Sequence, residues 1–320
     1  MTMTPEDYVR SLYLTTLGRE ADPDGLAACV TLIAETGDPT LVLEGLLSSA
    51  EYALRSTRPA FDEALIPTCV AHLNGRPVTI IDVGAQMLGT EEHAYQALCR
   101  PDIPHHIIGF EPLSDRVHER EASENGGALT MLPYAIGDGK THTLYVNNDD
   151  ATSSIYPLHL PLTSRFEHLH TLRVERTLSV ATRTLDDVVD HGPIDFLKLD
   201  IQGAELMALQ GAERMLARTG VIHCEVEFAE IYKGQYLFPE VQLFLNARGF
   251  SLIDILVPHR YAYVTQSNVD SRDRLIWGDA VFFRETEDKD TLAVQAMIAG
   301  LVYSKASLSS HLIERAHQKY

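Results

Sequence analysis

The chain is short of cysteine, short of basic residues and free of long apolar runs, and each shortage removes a class of function. Its four cysteines are Cys29, Cys69, Cys99 and Cys224. None forms a C-x-x-C pair, so a zinc knuckle or redox dithiol is disfavoured and free thiols in a reducing compartment are expected. Lys and Arg total 26 against 45 Asp and Glu, for a net charge of -19. So acidic a chain lacks the electrostatic footprint of a nucleic-acid binder, and anionic membrane surfaces repel it. No segment approaches about 18 uninterrupted apolar residues, and the opening MTMTPEDYVRSLYL carries no basic leader. The expectation is a cytoplasmic protein with no membrane span.

What is present reads as an ordinary globular chain, 45% hydrophobic and 22% charged. Residues 1–57 read as a small helical domain. Thr4-Pro5-Glu6 is a helix start, Asp22-Pro23-Asp24-Gly25 opens a second helix, and Gly37-Asp38-Pro39 separates it from a third, LVLEGLLSSAEYAL. From Val78 the texture alternates between strands and helices. VTIIDVG reads as a buried strand, followed by a helix around Glu91–Leu98. Then come HIIGFEP, MLPYAIGD, HTLYVN, FLKLDIQ, the amphipathic helix GAELMALQGAERMLA, VIHCEVEF, the helix FPEVQLFLNAR, FSLIDIL and LIWGDAVFFR. This order predicts an α/β fold with a doubly wound sheet. Residues 286–320 read as a C-terminal helical extension carrying Met297, Leu301 and Leu308, which packs or forms a homodimer.

Three stretches point to chemistry. Asp82-Val83-Gly84 ends a strand in a tight turn, and Gly84 and Gly89 are spaced G-x-x-x-x-G, unlike the G-x-G-x-x-G of dinucleotide binders. Glu111 follows an apolar strand, where doubly wound folds place an acid against a ribose diol. In DFLKLDIQGAE, Asp200 ends a strand and Lys198 sits between Leu197 and Leu199, buried unless paired. VIHCEVEF sets His223, Glu225 and Glu227 opposite an apolar face, a pattern out of place in a sheet covered on both sides. The pair His105-His106 and the His168-x-His170 segment lack a third ligand at zinc spacing, which favours solvated roles.

Together, IDVGA, GFEP, YAIGD, TLDDVV, DFLKLDIQGAE and EVEF resemble the FkbM family of S-adenosylmethionine-dependent methyltransferases, over about Val78 to Arg284. The first loop departs from that pattern, with Gln86 in place of Asn and Met87-Leu88 enlarging it. Residues 1–57 are similar to a family of small helical domains of unknown function found with glycan-related proteins. That likeness is carried by Tyr13, Leu17-Gly18-Arg19, Asp22, Asp24-Gly25-Leu26, Gly37, Ser49 and Glu51-Tyr52, with Ala27-Ala28 replacing the usual aromatic pair. The resemblance implies a methyltransferase domain at 58–285 with a class I, Rossmann-like sheet. It implies S-adenosylmethionine held by Asp82, Gly84, Ala85, Gln86, Glu111, Ala135, Ile136, Asp138 and Asp200, with Tyr134 beside the adenine. The implied activity is methylation of a hydroxyl on a sugar, glycan or glycosylated natural product.

A sugar hydroxyl is a poor nucleophile and needs a base or a metal to take its proton. Asp200 ranks first for that role, Glu225 and Glu227 second, with Lys198 and His223 behind them. Asp200, Glu225 and Glu227 also form a candidate Mg²⁺ site, since a hard cation prefers oxygen ligands. The metal-free alternative has them orient sugar hydroxyls or pair with Lys198. From another class comes a rival: a non-catalytic glycan-recognition protein on a methyltransferase-like core.

Overall fold

The computed structural model describes residues 4–17, 19–49, 62–86, 93–123, 128–189, 192–267, 269 and 271–318. Gly18, Glu51-Tyr52 and the first-loop residues Met87 to Glu91 lie outside the described residues. The chain divides into two compact units, Met1–Ala60 and Phe61–Tyr320.

The first unit contains helices Pro5–Leu17, Pro23–Thr36 and Thr40–Leu47. The Thr4 hydroxyl accepts from the Asp7 N–H, and an Asp22 carboxylate oxygen accepts from the Gly25 N–H, so side chains satisfy backbone donors that the helix starts leave open. Val9, Tyr13, Leu17, Val42 and Leu46 close a small core of their own.

The second unit is built on a seven-stranded sheet. Its strands are β1 (Val78–Val83), β2 (His105–Phe110), β3 (Leu129–Leu132), β7 (Ile194–Leu199), β8 (Thr219–Glu227), β9 (Phe250–Tyr261) and β10 (Arg274–Arg284), in the order β3-β2-β1-β7-β8-β10-β9. All neighbours run parallel except β10, which is antiparallel to both β8 and β9. A smaller sheet, β4 (Ala135–Ile136), β6 (Val174–Arg183) and β5 (Thr141–Asn147), stands beside it.

Alternate residues of the central strands feed two cores. Ile80, Phe196, Val221 and Val281 pack against the helices Ile66–Ala71, Lys289–Leu301 and Ala306–His317. Ile81, Leu197, Ile222 and Phe282 pack with Leu206, Leu209, Met215 and Leu245 on the other face. Helix Lys289–Leu301 buries Leu292, Val294, Met297 and Ile298, each worth about 1.5–3 kcal/mol of burial. The C-terminal segment is thus part of the sheet's cover, and its two helices are separated near Ser304, which has φ +52°.

Three local expectations are corrected. The helix expected through Leu98 is, in its described part, a single 3-10 turn, Gln96–Leu98, with Tyr95 and Leu98 turned into the core. GAELMALQGAERMLA forms two short helices, Glu205–Gln210 and Glu213–Leu216. They part at Gly211, where a Cβ would press on the Gly137 carbonyl oxygen at 2.9 Å. Strand β6 was not anticipated, because its side chains are nearly all exposed and show no apolar face.

Candidate active site

Strand order reverses between β1 and β7, and in open α/β sheets ligands bind beyond the carboxyl ends at such a switch point. A cleft of about 500 Å³ opens there, lined by Gly84, Glu111, Ile136, Asp200, Glu225 and Trp277 among others. That size suits a nucleoside-sized ligand.

The floor is built from charge. Asp82 is fully buried on β1, where its Oδ2 accepts from the Tyr95 hydroxyl at 2.6 Å. Among the described residues its Oδ1 makes no hydrogen bond, and it faces the Lys198 Nζ at 3.5 Å. Lys198, opposite Asp82 in the β1–β7 register, also lies 3.3 Å from Asp200 and donates to the Gly84 carbonyl at 3.4 Å. Burial works against the ammonium, but Asp82 and Asp200 more than offset it and hold its pKa above the ordinary lysine value. Gly84, at φ +81°, lies so close to β7 that any side chain would collide with the Asp200 carbonyl.

Glu111, at the end of β2, is 6% exposed, and among the described residues its carboxylate accepts one hydrogen bond, from the Leu113 N–H at 2.8 Å. Burial raises its pKa, against the pull of the Leu113 amide and Arg116. A nearly buried carboxylate with spare acceptor capacity on a cleft wall suits a ligand diol. Tyr134, Ala135 and Ile136 line the same cleft.

The acids of β7 and β8 meet on the opposite side. Every residue of β8 is buried, so its alternating pattern is not half-exposure. Val221 faces the core of helix Lys289–Leu301. By strand alternation His223, Glu225 and Glu227 share that face, and the two glutamates line the cleft. One amide gathers the carboxylates: Gln202 Nε2 donates to Asp200 Oδ1 at 3.1 Å and to Glu225 Oε2 at 2.8 Å. Gln202 Oε1 accepts from the Tyr232 hydroxyl at 2.8 Å, and its carbonyl accepts from the Ser154 hydroxyl at 2.6 Å. Burial pushes Asp200 up, but Lys198 and Gln202 overcome it and hold the carboxyl below its usual range. Burial, with Asp200 and Glu227 as like-charged neighbours, pushes Glu225 well above that range. Glu227 rises for the same kind of reason, burial first and Glu205 second.

Of the residues expected to hold the cofactor, Gly84, Gln86, Glu111, Ala135, Ile136 and Asp200 line the cleft. Asp82 and Ala85 do not. Asp82 sits beneath it, holding Tyr95 and Lys198, and Ala85 packs on Val117 and Met131. Asp138 is also placed elsewhere, in the turn after β4, bound to Lys140 and His142 at 2.7 Å each. Residues not anticipated include Gln202, Tyr232, His259, Trp277 and Asp279, together with Asp149 and Asp150. Gln202 stood in a quoted motif. His259, Trp277 and Asp279 come together through the pairing of β8, β10 and β9.

The Mg²⁺ reading is not carried by this geometry. Asp200 and Glu225 share one amide donor, and the other Asp200 oxygen is paired with Lys198. Among the described residues no three His, Cys, Asp or Glu side chains converge as a metal centre, so no step is routed through one.

The organic cofactor does fit. Glu111 offers an acceptor to a diol, the Gly84 turn keeps the backbone at the cleft free of side chain, and the acids around Asp200 suit a positively charged sulfur. Comparison with known proteins agrees. The FkbM methyltransferase domain model matches residues 82–252. The chain is 28% identical over 207 residues to the 2-O-methyltransferase NoeI of Sinorhizobium fredii, covering 60% of this chain and 83% of that protein. Solved structures with a similar course include the magnesium protoporphyrin IX methyltransferase of Synechocystis with bound S-adenosylmethionine, at 12% identity and TM-score 0.35, covering 89% of this chain and 99% of that one. Another is an S-adenosylmethionine-dependent methyltransferase from Listeria monocytogenes described as putative, at 8% identity and TM-score 0.37, covering 70% and 99%. These scores are too low to carry an argument. The domain match spans more than half of the chain and contains the Gly84 turn, Glu111 and the Asp200–Glu225 pair, and this chain belongs to the FkbM methyltransferase family, as an S-adenosylmethionine-dependent methyltransferase.

Proposed function

We propose that the enzyme methylates a hydroxyl oxygen of a sugar, free or within a glycan or glycoside, and that Glu225 takes the hydroxyl proton. The carrying observation is the Asp200–Glu225 pair bridged by Gln202, whose two carboxyls are driven apart in pKa by their surroundings. Such a split separates acid–base roles. Asp200, held ionised by Lys198, is a weak base and is better suited to face positive charge. Glu225, whose pKa is raised by burial and by its acidic neighbours, is the stronger base of the pair. The sequence ranks Asp200 first as base, and the environments reverse that order.

S-adenosylmethionine supplies the methyl group on a sulfonium for in-line displacement. The chain's part is to hold the ribose on Glu111, to keep Asp200 charged, and to align a hydroxyl beside Glu225. Gln86, Glu111 and Asp200 are proposed as cofactor contacts, and Glu227 as a contact to the acceptor. The protein named 2-O-methyltransferase supports oxygen as the methylated atom. We assign the methyl-transfer machinery to the second compact unit and leave the helical unit outside it.

The test is incubation with methyl-labelled S-adenosylmethionine and a panel of nucleotide sugars, glycosides and oligosaccharides. Label on a saccharide oxygen is the expected result. Label confined to non-sugar acceptors refutes the sugar class. Failure to bind S-adenosylmethionine by calorimetry favours the non-catalytic rival.

A further inference from the structure

The cleft has a second wall whose construction the cofactor does not explain. It is formed by β9 and β10, and two irregularities bracket a single register pair, Trp277 with His259. Between Leu275 and Trp277 strand β10 spends two positions on one of β9. Between Trp277 and Asp279 it spends two against three. One extra residue on each strand, on either side of one pair, is a paired β-bulge. Bulges re-aim side chains and gather beside active sites. The second bulge contains Val257, a β-branched residue at φ +42° that is 64% exposed and lines the cleft. A conformation so unfavourable for valine persists where the surroundings impose it.

The two rings so aimed are stacked, with centroids 3.6 Å apart and planes 11° from parallel. The Trp277 indole N–H donates to the Tyr261 hydroxyl at 2.8 Å, which fixes the indole plane. Across the sheet Trp277 is the register partner of Glu227, and Asp279 of Glu225. Trp277, His259, Glu227, Glu225 and Asp279 all line the cleft. The wall therefore offers a braced aromatic surface beside a row of carboxylate acceptors, on the same side as the proposed base.

We infer that the Trp277–His259 pair is the acceptor subsite, on which a sugar ring lays its apolar C–H face while Glu227 and Asp279 accept from its hydroxyls. A pyranose has this two-sided character: axial C–H bonds make a face that packs on an aromatic ring, and hydroxyls project around the rim. A flat aromatic acceptor would use the rings but leave the flanking acids unpaired, and a linear alcohol would use neither well. The inference rests on the sugar reading above and adds where and how the ring is held. Trp277 and His259 are specificity-determining, and Tyr261 is a positioning residue acting through the indole.

Trp277 is the sole tryptophan of the chain, so its emission reports on this wall. The full-length protein, saturated with S-adenosylhomocysteine, is titrated with the same saccharide panel while Trp emission is followed. A saturable change with at least one saccharide is expected, strongest for the compound that is methylated. W277F and H259A should each raise KM for that compound at least tenfold with kcat changed less than threefold. Both should bind S-adenosylhomocysteine as the native protein does, which shows that they fold. A saccharide that is methylated without moving the emission, or a KM within twofold in both variants, overturns the subsite and leaves the sugar reading intact. A non-sugar compound that saturates the emission and is methylated keeps the wall as acceptor site and overturns the sugar reading. Silence from the whole panel overturns the inference.

Discussion

Replacing Lys198 by Met should destabilise the fold severely, and Asp82 is the reason. Lys198 keeps only 13% of its side chain exposed and Asp82 none, so solvent screens their attraction very little. At 3.5 Å and an effective dielectric of about 20, unit charges attract by about 5 kcal/mol. Desolvation offsets much of that in the intact pair, but removing one partner leaves the other buried and uncompensated, at a cost of about 3–5 kcal/mol. Among the described residues Asp82 Oδ1 has no hydrogen bond to fall back on. Urea unfolding at pH 7, followed by circular dichroism, should therefore show K198M less stable than native by about 3–5 kcal/mol. Adding Asp82→Asn to K198M should restore a substantial part of the loss, because the stranded charge is gone. A loss under about 1 kcal/mol for K198M, the scale of an exposed pair, would refute the reasoning. So would a double variant less stable than K198M.

Glu205 is fully buried at the start of its helix, and burial pushes its pKa up to about 7. With the folded value raised, its contribution to stability is present below pH about 4.5 and is lost as pH rises towards about 7. Glu205→Gln should accordingly gain about 1–3 kcal/mol over the native protein at pH 8 and little at pH 4.5, read from urea midpoints; equal effects at both pH values would contradict this. Glu111→Ala should weaken S-adenosylmethionine binding about tenfold to a hundredfold by calorimetry, the loss of one or two hydrogen bonds to a charged acceptor. Glu225→Gln should lower kcat by about 10²- to 10⁴-fold, the usual share of a general base, with cofactor affinity within threefold; an unchanged kcat removes Glu225 from the mechanism. A chain of residues 61–320 should bind S-adenosylmethionine as the full chain does, and loss of binding would place the helical unit in the site.

The sequence was most legible where one strand and its following turn make the site. IDVG, FEP and LKLDIQG each end a parallel strand at the cleft, so the position of Gly84, Glu111 and Asp200 follows from local pattern. VIHCEVEF was legible as an anomaly: alternation suggested an exposed face, and full burial of β8 turned the same alternation into acids against the cleft. Asp138 was expected at the cofactor but does not line the cleft, and its own turn supplies its partners, Lys140 and His142, within four residues. The aromatic wall was not legible. Trp277 and His259 are eighteen residues apart, and only the double bulge in the β9–β10 register turns them to the same spot. The Mg²⁺ reading is not carried by the geometry for a related cause, since sequence shows the three acids but not that Gln202 and Lys198 already engage both Asp200 oxygens and one of Glu225.

The most direct test is the chemical identity of the product bond. The enzyme is given S-adenosylmethionine carrying a ¹³C methyl group and the saccharide that most strongly moves Trp277 emission, and the product is read by heteronuclear NMR. One new methyl resonance coupled to a sugar ring carbon through oxygen is expected, absent with Glu225→Gln. A methyl group on nitrogen, sulfur or carbon, or an O-methyl product formed equally well by Glu225→Gln, would contradict it.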